Sequence, residues 1–313
     1  MGASNGFELL DKKVKNWIWK KGWQSLRDIQ EQSIEPILKA KTDVIISAST
    51  AAGKTEAAFL PACSKMCEMD NKGVFILYIS PLKALINDQY RRLQSLCEIL
   101  DIPVTPWHGD ISQSLKNKQK ANPSGIILIT PESLESLFLN SSGWCQKAFQ
   151  NLGYIIIDEF HAFIGTERGY QLQSLMHRLE FLIQRTVPRI ALSATLGDMN
   201  EVAWYLRPNK KIPCEIIVST ASRSDLKLQL KGYKNTAQIT DDTETALSLI
   251  VDDLYTLLRG KSNLVFANSR KRTEEISAML SDKCNSDSVP NEFFPHHGSL
   301  SKELRESLEH RLQ

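Results

Sequence analysis

Short aliphatic runs alternate with longer amphipathic stretches along the first two thirds of the chain. The runs contain few polar residues at alternate positions, which is typical of strands buried on both faces of a sheet. The predicted strands are Asp43–Ser47, Val74–Ile79, Gly125–Ile129, Tyr154–Ile157, Arg189–Leu192 and Glu215–Val218. The predicted helices between them include Leu82–Leu100, Ser133–Leu139 and Gln171–Gln184. This alternation predicts an α/β fold, with a parallel sheet covered by helices on both sides.

A polar, turn-rich segment interrupts the pattern, which then starts again. We predict a first domain over residues 1–219, a linker over residues 220–244 and a second α/β unit over residues 245–313. The second unit is predicted to contain helix Ala246–Leu258, strand Asn263–Ala267, helix Arg270–Leu280, strand Glu292–Pro295 and helix Ser301–Arg311. Because an α/β domain of ordinary size needs ~150 residues, we expect this second unit to be incomplete.

Composition narrows the choice of function only slightly. The 38 Lys and Arg residues nearly balance the 36 Asp and Glu residues, so a nucleic-acid site must be a local groove rather than a basic surface. The longest apolar runs have the length of a strand, and no membrane span is predicted. The six cysteines are scattered without a Cys-x-x-Cys pair. We therefore expect a reduced, cytoplasmic protein without a structural metal.

The strongest local signal follows the first predicted strand. It comprises Ala48, Ser49, Thr50, Ala51, Ala52, Gly53, Lys54 and Thr55. Small residues between a strand and a helix let backbone N–H groups surround a phosphate, and the helix N-terminus adds its positive dipole end. Lys54 would then contact the β- and γ-phosphates of ATP, and Thr55 would bind Mg²⁺. The alternative is a chance Gly-Lys-Thr at the start of a helix.

A second motif supplies the acidic partner of this loop. The strand Tyr154–Ile157 runs directly into Asp158 and Glu159. In a parallel sheet this order brings Asp158 to the Mg²⁺ and Glu159 to a water molecule that attacks the γ-phosphate. Taken alone, two acidic residues after a strand are common, and His161 is compatible with a plain surface histidine.

Two further predicted strands end in the same way. One is followed by Ser80-Pro81, the other by Thr130-Pro131, and each pair precedes a predicted helix. Ser or Thr at the N-cap with Pro at the first helical position is typical of a helix start, whose free N–H groups bind phosphate. Ordinary capping explains one such pair. Two such pairs at one sheet edge, beside an ATP site, predict a groove that binds the phosphates of a nucleic-acid strand.

The ordered motifs resemble superfamily 2 helicases. The set is Gln30, Ala48–Thr55, Pro81–Leu85, His108–Asp110, Thr130–Ser133, Asp158–His161, Ser193–Thr195 and Leu264–Arg270. The Asp-Glu-x-His form is similar to the DEAD/DEAH-box branch. The stretches Asp158–Leu172 and His296–Ser301 resemble the large helicase-related, or Lhr-type, proteins most closely. The resemblance implies a RecA-like, P-loop NTPase first lobe and a truncated second RecA-like lobe.

The resemblance also implies roles for individual residues. Residues 17–40 resemble the family's Gln-motif segment, which reads adenine. Gln30 would do so through its amide and Trp23 by packing. Ser193, Ala194 and Thr195 resemble the motif that couples hydrolysis to movement, through a hydrogen bond to His161. Lys54, Thr55, Asp158, Glu159 and His161 would be catalytic. The implied nucleic-acid contacts are Pro81, Lys83, His108, Gly109, Asp110, Thr130, Pro131, Glu132, Ser133, Asn268, Ser269, Arg270, His297, Gly298 and Ser299.

The function implied is that of an ATP- and Mg²⁺-dependent helicase that moves on single-stranded nucleic acid, on DNA rather than RNA and in the 3′→5′ direction. The family's arginine finger would come from sequence beyond Gln313, so we expect poor ATP turnover by this chain alone. Further C-terminal sequence or a protein partner would complete the second lobe. Two alternatives remain: a nucleic-acid-stimulated translocase that does not unwind, and a catalytically impaired ATP-binding module.

Overall fold

The computed structural model describes residues 5–49, 52–69, 72–195, 197–209, 211–219, 227–234 and 246–312. The chain divides into two compact units, Met1–Ser224 and Asp225–Gln313. The first unit contains a seven-stranded parallel sheet with strand order β3-β4-β2-β5-β6-β1-β7. Its strands are β1 Asp43–Ser47, β2 Gly73–Ile79, β3 Val104–Trp107, β4 Ser124–Ile129, β5 Tyr154–Ile157, β6 Arg189–Ser193 and β7 Cys214–Val218. The predicted α/β, RecA-like fold is confirmed.

Helices cover both faces of this sheet. In the first unit they are α1 Asn5–Leu9, α2 Lys12–Lys20, α3 Asp28–Lys39, α4 Lys54–Cys67, α5 Lys83–Leu100, α6 Gln113–Ala121, α7 Pro131–Asn140, α8 Ser142–Ala148, α9 Glu167–Ile183 and α10 Met199–Leu206. Successive strand residues point to opposite faces, so Ile156 packs with helices α2–α5 and Ile157 packs with α7–α10. None of the helices in the described ranges is long and apolar enough to span a membrane.

The edge strand β3 is not among the strands that the sequence predicts. Its four residues include Pro106, which pairs with Leu128 of β4. Proline cannot donate a ladder hydrogen bond, and it therefore counts against a strand when only the sequence is read. At the edge of a sheet the missing donor faces no second strand, which is why the residue is tolerated there.

One of the two predicted helix starts is also wrong. Thr130 does cap α7, because its hydroxyl accepts a hydrogen bond from the Ser133 nitrogen and Pro131 is the first helical residue. In contrast, α5 begins at Lys83 and Ser80 does not cap it. Ser80 is buried, and its hydroxyl makes no hydrogen bond within the part of the chain that is described. The two residues after Ser80 run as a connection before the helix begins.

The second unit contains α11 Ala246–Leu258, α12 Arg270–Ser286 and α13 Lys302–Leu312, which confirms three predicted helices. The predicted strands Asn263–Ala267 and Glu292–Pro295 are wrong, since neither forms a ladder within the described residues. Local side chains engage the second segment instead: Phe293 N donates to Asn291 Oδ1 and Phe293 O accepts from Ser277 Oγ. A strand needs a partner's backbone, and no other segment in the described ranges supplies one here. Most of the predicted linker, residues 220–244, lies outside the described ranges.

Candidate nucleotide site and strand-binding edge

The predicted phosphate loop connects β1 to α4. Gly53 precedes the first residue of α4 with a φ of 89°, in the left-handed region that favours glycine. A Cβ atom at this position would lie 2.5 Å from Gln30 Nε2, so any other side chain would collide with Gln30. The turn before α4 therefore requires glycine.

Lys54 lies at the first position of α4, and its side chain folds back over the loop. Its Nζ atom donates to the carbonyl oxygens of Ala48 at 2.8 Å and Ser49 at 3.0 Å. Burial lowers the pKa of Lys54, while the nearby carboxylates of Glu159 and Asp158 oppose that change. The ammonium group is thus half-buried and available to an anion in the loop. The predicted loop residues Thr50 and Ala51 lie outside the described residues.

Gln30 contacts this loop directly. Its Nε2 atom donates to the Gly53 carbonyl oxygen at 3.4 Å, and its Oε1 atom accepts from the Arg27 nitrogen at 3.0 Å. The predicted adenine-reading amide is therefore next to the loop and already hydrogen-bonded. Trp23 packs edge-on against Trp17, with ring centroids 5.4 Å apart. Both tryptophans line a cavity of about 220 Å³, whose other lining residues include Thr55, Glu56, Phe59 and Arg92.

Asp158 follows the carboxyl end of β5 and accepts two hydrogen bonds. Its Oδ1 atom accepts from the backbone nitrogen of Glu159 at 2.9 Å, and its Oδ2 atom accepts from the hydroxyl of Tyr78. Burial raises the pKa of Asp158, the charge of Glu159 adds to the increase, and the Tyr78 hydrogen bond opposes it. Glu159 has a φ of 46°, a left-handed conformation that is strained for a non-glycine residue and is concentrated at functional sites.

The oxygen donors of this site suit Mg²⁺. Thr55 supplies a hydroxyl group and Asp158 a carboxylate, and Mg²⁺ prefers such hard oxygen ligands. The described residues hold no cluster of three or more His, Cys, Asp or Glu side chains that would bind a metal alone. A Mg²⁺ ion held by one or two protein ligands takes its remaining ligands from phosphate oxygens and water. The residues therefore fit a metal that arrives with a nucleotide.

His161 connects the acidic motif to the Ser-Ala-Thr motif. Its Nδ1 atom accepts from the Ala194 nitrogen at 3.2 Å, which is the hydrogen bond that the family resemblance implies. That bond assigns the ring proton to Nε2, which lies 3.3 Å from Glu159 Oε2. Beside it, the Ala48 nitrogen donates to the Ser193 carbonyl oxygen at 3.3 Å. The phosphate loop, Glu159 and the end of β6 are thus joined at one sheet edge, where Thr195 is exposed.

The first predicted nucleic-acid-binding segments meet beside α5. Lys83 Nζ lies 3.1 Å from Asp110 Oδ1, and a Cβ atom on Gly109 would lie 3.3 Å from the same Nζ atom. His108 is buried, with Nε2 2.9 Å from Asn87 Oδ1. Lys83, Gly109 and Asp110 are exposed and can meet a ligand, whereas His108 supports the loop from inside.

The next predicted segment is held by an arginine that the sequence analysis did not select. Arg168, in the first turn of α9, donates through Nη2 to the Pro81 carbonyl oxygen at 2.9 Å and through Nε to Glu132 Oε1 at 2.8 Å. It therefore ties the connection before α5 to the start of α7. Thr130 Oγ1 donates to Ser133 Oγ at 3.0 Å, while Pro131 is buried.

A glycine next to this arginine explains its placement. A Cβ atom on Gly169 would lie 1.9 Å from the Phe163 carbonyl oxygen, so only glycine allows α9 to begin here. The dipeptide Arg168-Gly169 lies inside the stretch that resembles the family, and that stretch was the available signal for Arg168. Tyr78 offered no such signal, because an aromatic residue in an apolar strand is ordinary core composition.

The predicted residues of the second unit lie close to one another within it. Arg270 Nη1 donates to Ser299 Oγ at 2.7 Å, and the Ser299 nitrogen donates to His297 Nδ1 at 3.3 Å. Ser269 caps α12 by accepting a hydrogen bond from the Arg272 nitrogen. The other two predicted positions, Asn268 and Gly298, are exposed.

Several known proteins are similar to this chain. The model of the DEAD/DEAH box helicase family matches residues 27–202. ATP-dependent helicase Lhr-Core of Methanocaldococcus jannaschii is 32% identical, over 98% of this chain and 37% of that protein. Lhr helicase/uracil glycosylase of Escherichia coli is 29% identical, over 76% of this chain and 17% of that protein. The chain thus spans well under half the length of these relatives.

Solved structures give the same result. The Mycobacterium smegmatis helicase Lhr bound to ssDNA and AMP-PNP has a TM-score of 0.82 and 28% identity, covering 97% of this chain and 40% of that chain. A DEAD-box helicase bound to ssRNA and UDP-BeF has a TM-score of 0.75 and 19% identity, covering 97% of this chain and 62% of that chain, which indicates the fold alone.

Proposed function

Because this chain belongs to the DEAD/DEAH box helicase family, we propose that it carries the ATP-binding lobe of an ATP-dependent helicase that moves 3′→5′ on single-stranded DNA. The observation that carries the proposal is the bridge made by His161, which contacts Glu159 on one side and Ala194 on the other. A site that only binds a nucleotide needs the loop after β1 and the acidic motif after β5, and has no need to join that motif to the end of β6. A motor that converts hydrolysis into movement does need such a connection.

The nucleotide chemistry follows from the positions of the charged groups. Lys54 would give up its two carbonyl contacts and neutralise charge on the β- and γ-phosphates. Mg²⁺ held by Thr55 and Asp158 would offset further phosphate charge. Glu159 would orient and deprotonate the attacking water, and His161 would hold that carboxylate in place. These roles are supported by the distances within the site.

A single strand would run along the carboxyl edge of the sheet. Lys83 offers a cation there, and α7 offers free backbone N–H groups at a capped helix start. Such contacts read the phosphate backbone and carry little sequence information. The choice of DNA over RNA is supported by the Lhr structure bound to ssDNA. We also propose that the protein acts in the cytoplasm, where its six scattered cysteines would stay reduced.

Two substitutions test the nucleotide site. Lys54→Ala should abolish ATP binding, since it removes the charge that faces the phosphates. Glu159→Gln should retain binding and lose hydrolysis, because the amide keeps the shape but cannot accept a proton. Lys65→Ala is the matched control: it lies on the same helix, paired with Glu68 on the surface. If Lys54→Ala bound ATP as tightly as the parent, the site would be misassigned.

The substrate is tested with ATPase and strand-displacement assays. We expect single-stranded DNA to stimulate hydrolysis more than RNA of the same sequence, and duplexes with a 3′ tail to be unwound. Stimulation of hydrolysis without unwinding, together with displacement of a protein bound to the single strand, would favour a translocase. Tight ATP binding without any stimulation would favour a nucleotide-binding module.

A further inference from the structure

Tyr78 is a fully buried tyrosine on β2 whose hydroxyl reaches the acidic motif of the neighbouring strand. Tyr78 pairs with Ile156 of β5 in the parallel register. Asp158 lies two residues beyond Ile156 and therefore on the same face of the sheet. The tyrosine side chain spans that diagonal, and its O–H donates to Asp158 Oδ2.

The contact completes the support of the Asp158 carboxylate. Glu159 N donates to Oδ1 and Tyr78 to Oδ2, so each oxygen accepts one hydrogen bond and keeps one further acceptor position. The plane of the carboxylate is then fixed from both sides. A carboxylate that binds a metal in one orientation benefits from such fixed donors, because free rotation would have to be lost on binding.

The tyrosine ring is itself held by the helix that follows the phosphate loop. Its centroid lies 5.6 Å from that of Phe59, one turn into α4 after Thr55. Tyr78 therefore touches the helix that carries one predicted Mg²⁺ ligand and hydrogen-bonds the other. It also precedes by two residues the buried Ser80, where β2 leads to Pro81 and the strand-binding edge.

We propose that Tyr78 is a positioning residue for the metal site. Its hydroxyl orients the Asp158 carboxylate for Mg²⁺, and its ring contacts α4, the helix that begins with Lys54 and Thr55. The inference rests on the proposed function, since it concerns the metal that accompanies ATP. It assigns to Tyr78 a role through Asp158 and no contact with the nucleotide itself.

The test compares Tyr78→Phe with Tyr154→Phe. Both tyrosines are buried on adjacent strands and face the same core, but the Tyr154 hydroxyl donates to the Ile37 carbonyl oxygen at 2.6 Å, away from the site. The measurement is fluorescence titration with the N-methylanthraniloyl derivative of ATP, in Mg²⁺ and in EDTA. The dissociation constant in EDTA divided by that in Mg²⁺ gives the contribution of the metal to binding.

We expect Tyr78→Phe to reduce this ratio by about tenfold, the low end of the effect seen when a metal ligand loses its hydrogen-bonded support. Binding in EDTA should remain at the parent level, and Tyr154→Phe should keep the parent ratio. Thermal melting checks that all variants fold. An unchanged ratio in Tyr78→Phe, or an equal loss in Tyr154→Phe, would overturn the proposal.

Two other outcomes are also decisive. If Tyr78→Phe alone failed to fold, the hydroxyl would be a structural requirement and the proposal would be wrong. If the parent chain bound the nucleotide with no dependence on Mg²⁺, the metal site and this proposal would both be wrong, whereas Lys54→Ala tests the proposed nucleotide site separately.

Discussion

The backbone nitrogen of Ala194 donates a hydrogen bond to Nδ1 of His161 across 3.2 Å. Because the donor is a main-chain group, the contact depends on where β6 ends and not on the side chain at position 194. The other ring nitrogen lies 3.3 Å from Glu159 Oε2. A displacement of the chain after β6 would therefore move His161 and, through it, Glu159, the carboxylate that we propose activates water.

His161→Ala should separate binding from turnover. We expect ATP affinity to stay near the parent value, because the hydrogen bond and the ion pair that His161 makes among the described residues are with Ala194 and Glu159. Hydrolysis stimulated by single-stranded nucleic acid should fall by up to about 100-fold, the cost of a catalytic group misplaced by ~1 Å. Steady-state ATPase assays with and without a strand measure this.

The matched control for that prediction is His177→Ala. His177 is exposed on α9, and its Nε2 atom lies 3.4 Å from Asn209 Nδ2. It should retain the parent's stimulation. Equal losses in the two variants, or full stimulation in His161→Ala, would argue against a coupling role for the bridge.

Lys83 and Asp110 should have opposite effects on strand binding. Lys83→Ala should weaken binding of every sequence alike and lower the salt slope of log K by about 0.7, the value for one lost phosphate contact on a single strand. Asp110→Asn should tighten binding, because it releases Lys83 from an ion pair of 3.1 Å and removes a negative charge near the strand. Fluorescence anisotropy over a salt series measures both.

The sign of the Asp110 effect makes this test specific. If Asp110 served only to shape the loop, Asp110→Asn would leave affinity unchanged. A strong base preference that disappears in Lys83→Ala would show that the edge reads sequence, contrary to the proposal.

Part of this site was readable from the sequence, and part was not. The phosphate loop and Asp158 were readable because strand, small residues and helix must occur in that order for phosphate binding. Tyr78 was not, since its function depends on the register between β2 and β5, which no local pattern encodes. The same reason explains the incorrect strand at Asn263–Ala267: an apolar run predicts burial, whereas a strand also requires a hydrogen-bonded neighbour.

Arg168→Ala should loosen the strand-binding edge without affecting the nucleotide. The arginine donates to the Pro81 carbonyl and to Glu132, so its loss removes the support shared by the connection before α5 and the start of α7. We expect weaker binding of single strands and an unchanged affinity for ATP. Arg178→Ala is the control, because it removes a similar pair on the same helix, with Glu135 at 2.6 Å, next to Phe138. Equal weakening by both variants would indicate a general charge effect.

A buried ion cluster at the opposite edge of the sheet should dominate the stability of the first unit. Arg207 lies 2.5 Å from Asp43 Oδ2 and 2.9 Å from Glu180 Oε1, and Arg189 lies 3.1 Å from Glu180 Oε2. All four side chains are buried. Two positive charges balance two negative ones, so removal of one member leaves an uncompensated charge away from water.

Arg207→Met should therefore lower the free energy of unfolding by about 3–5 kcal/mol, whereas Arg92→Met, which breaks a surface pair with Glu56, should cost about 1 kcal/mol or less. Burial raises the pKa of Asp43 and Arg207 opposes that increase, so the variant should raise it further. An acid whose pKa is raised in the folded state gains stability from protonation. The deficit of Arg207→Met should consequently be full above the folded-state pKa of Asp43 in the variant, and it should shrink as the pH falls from there to the folded-state pKa of Asp43 in the parent. Urea unfolding at several pH values measures this, and a deficit independent of pH would show that lost packing, and not the unpaired carboxylates, explains it.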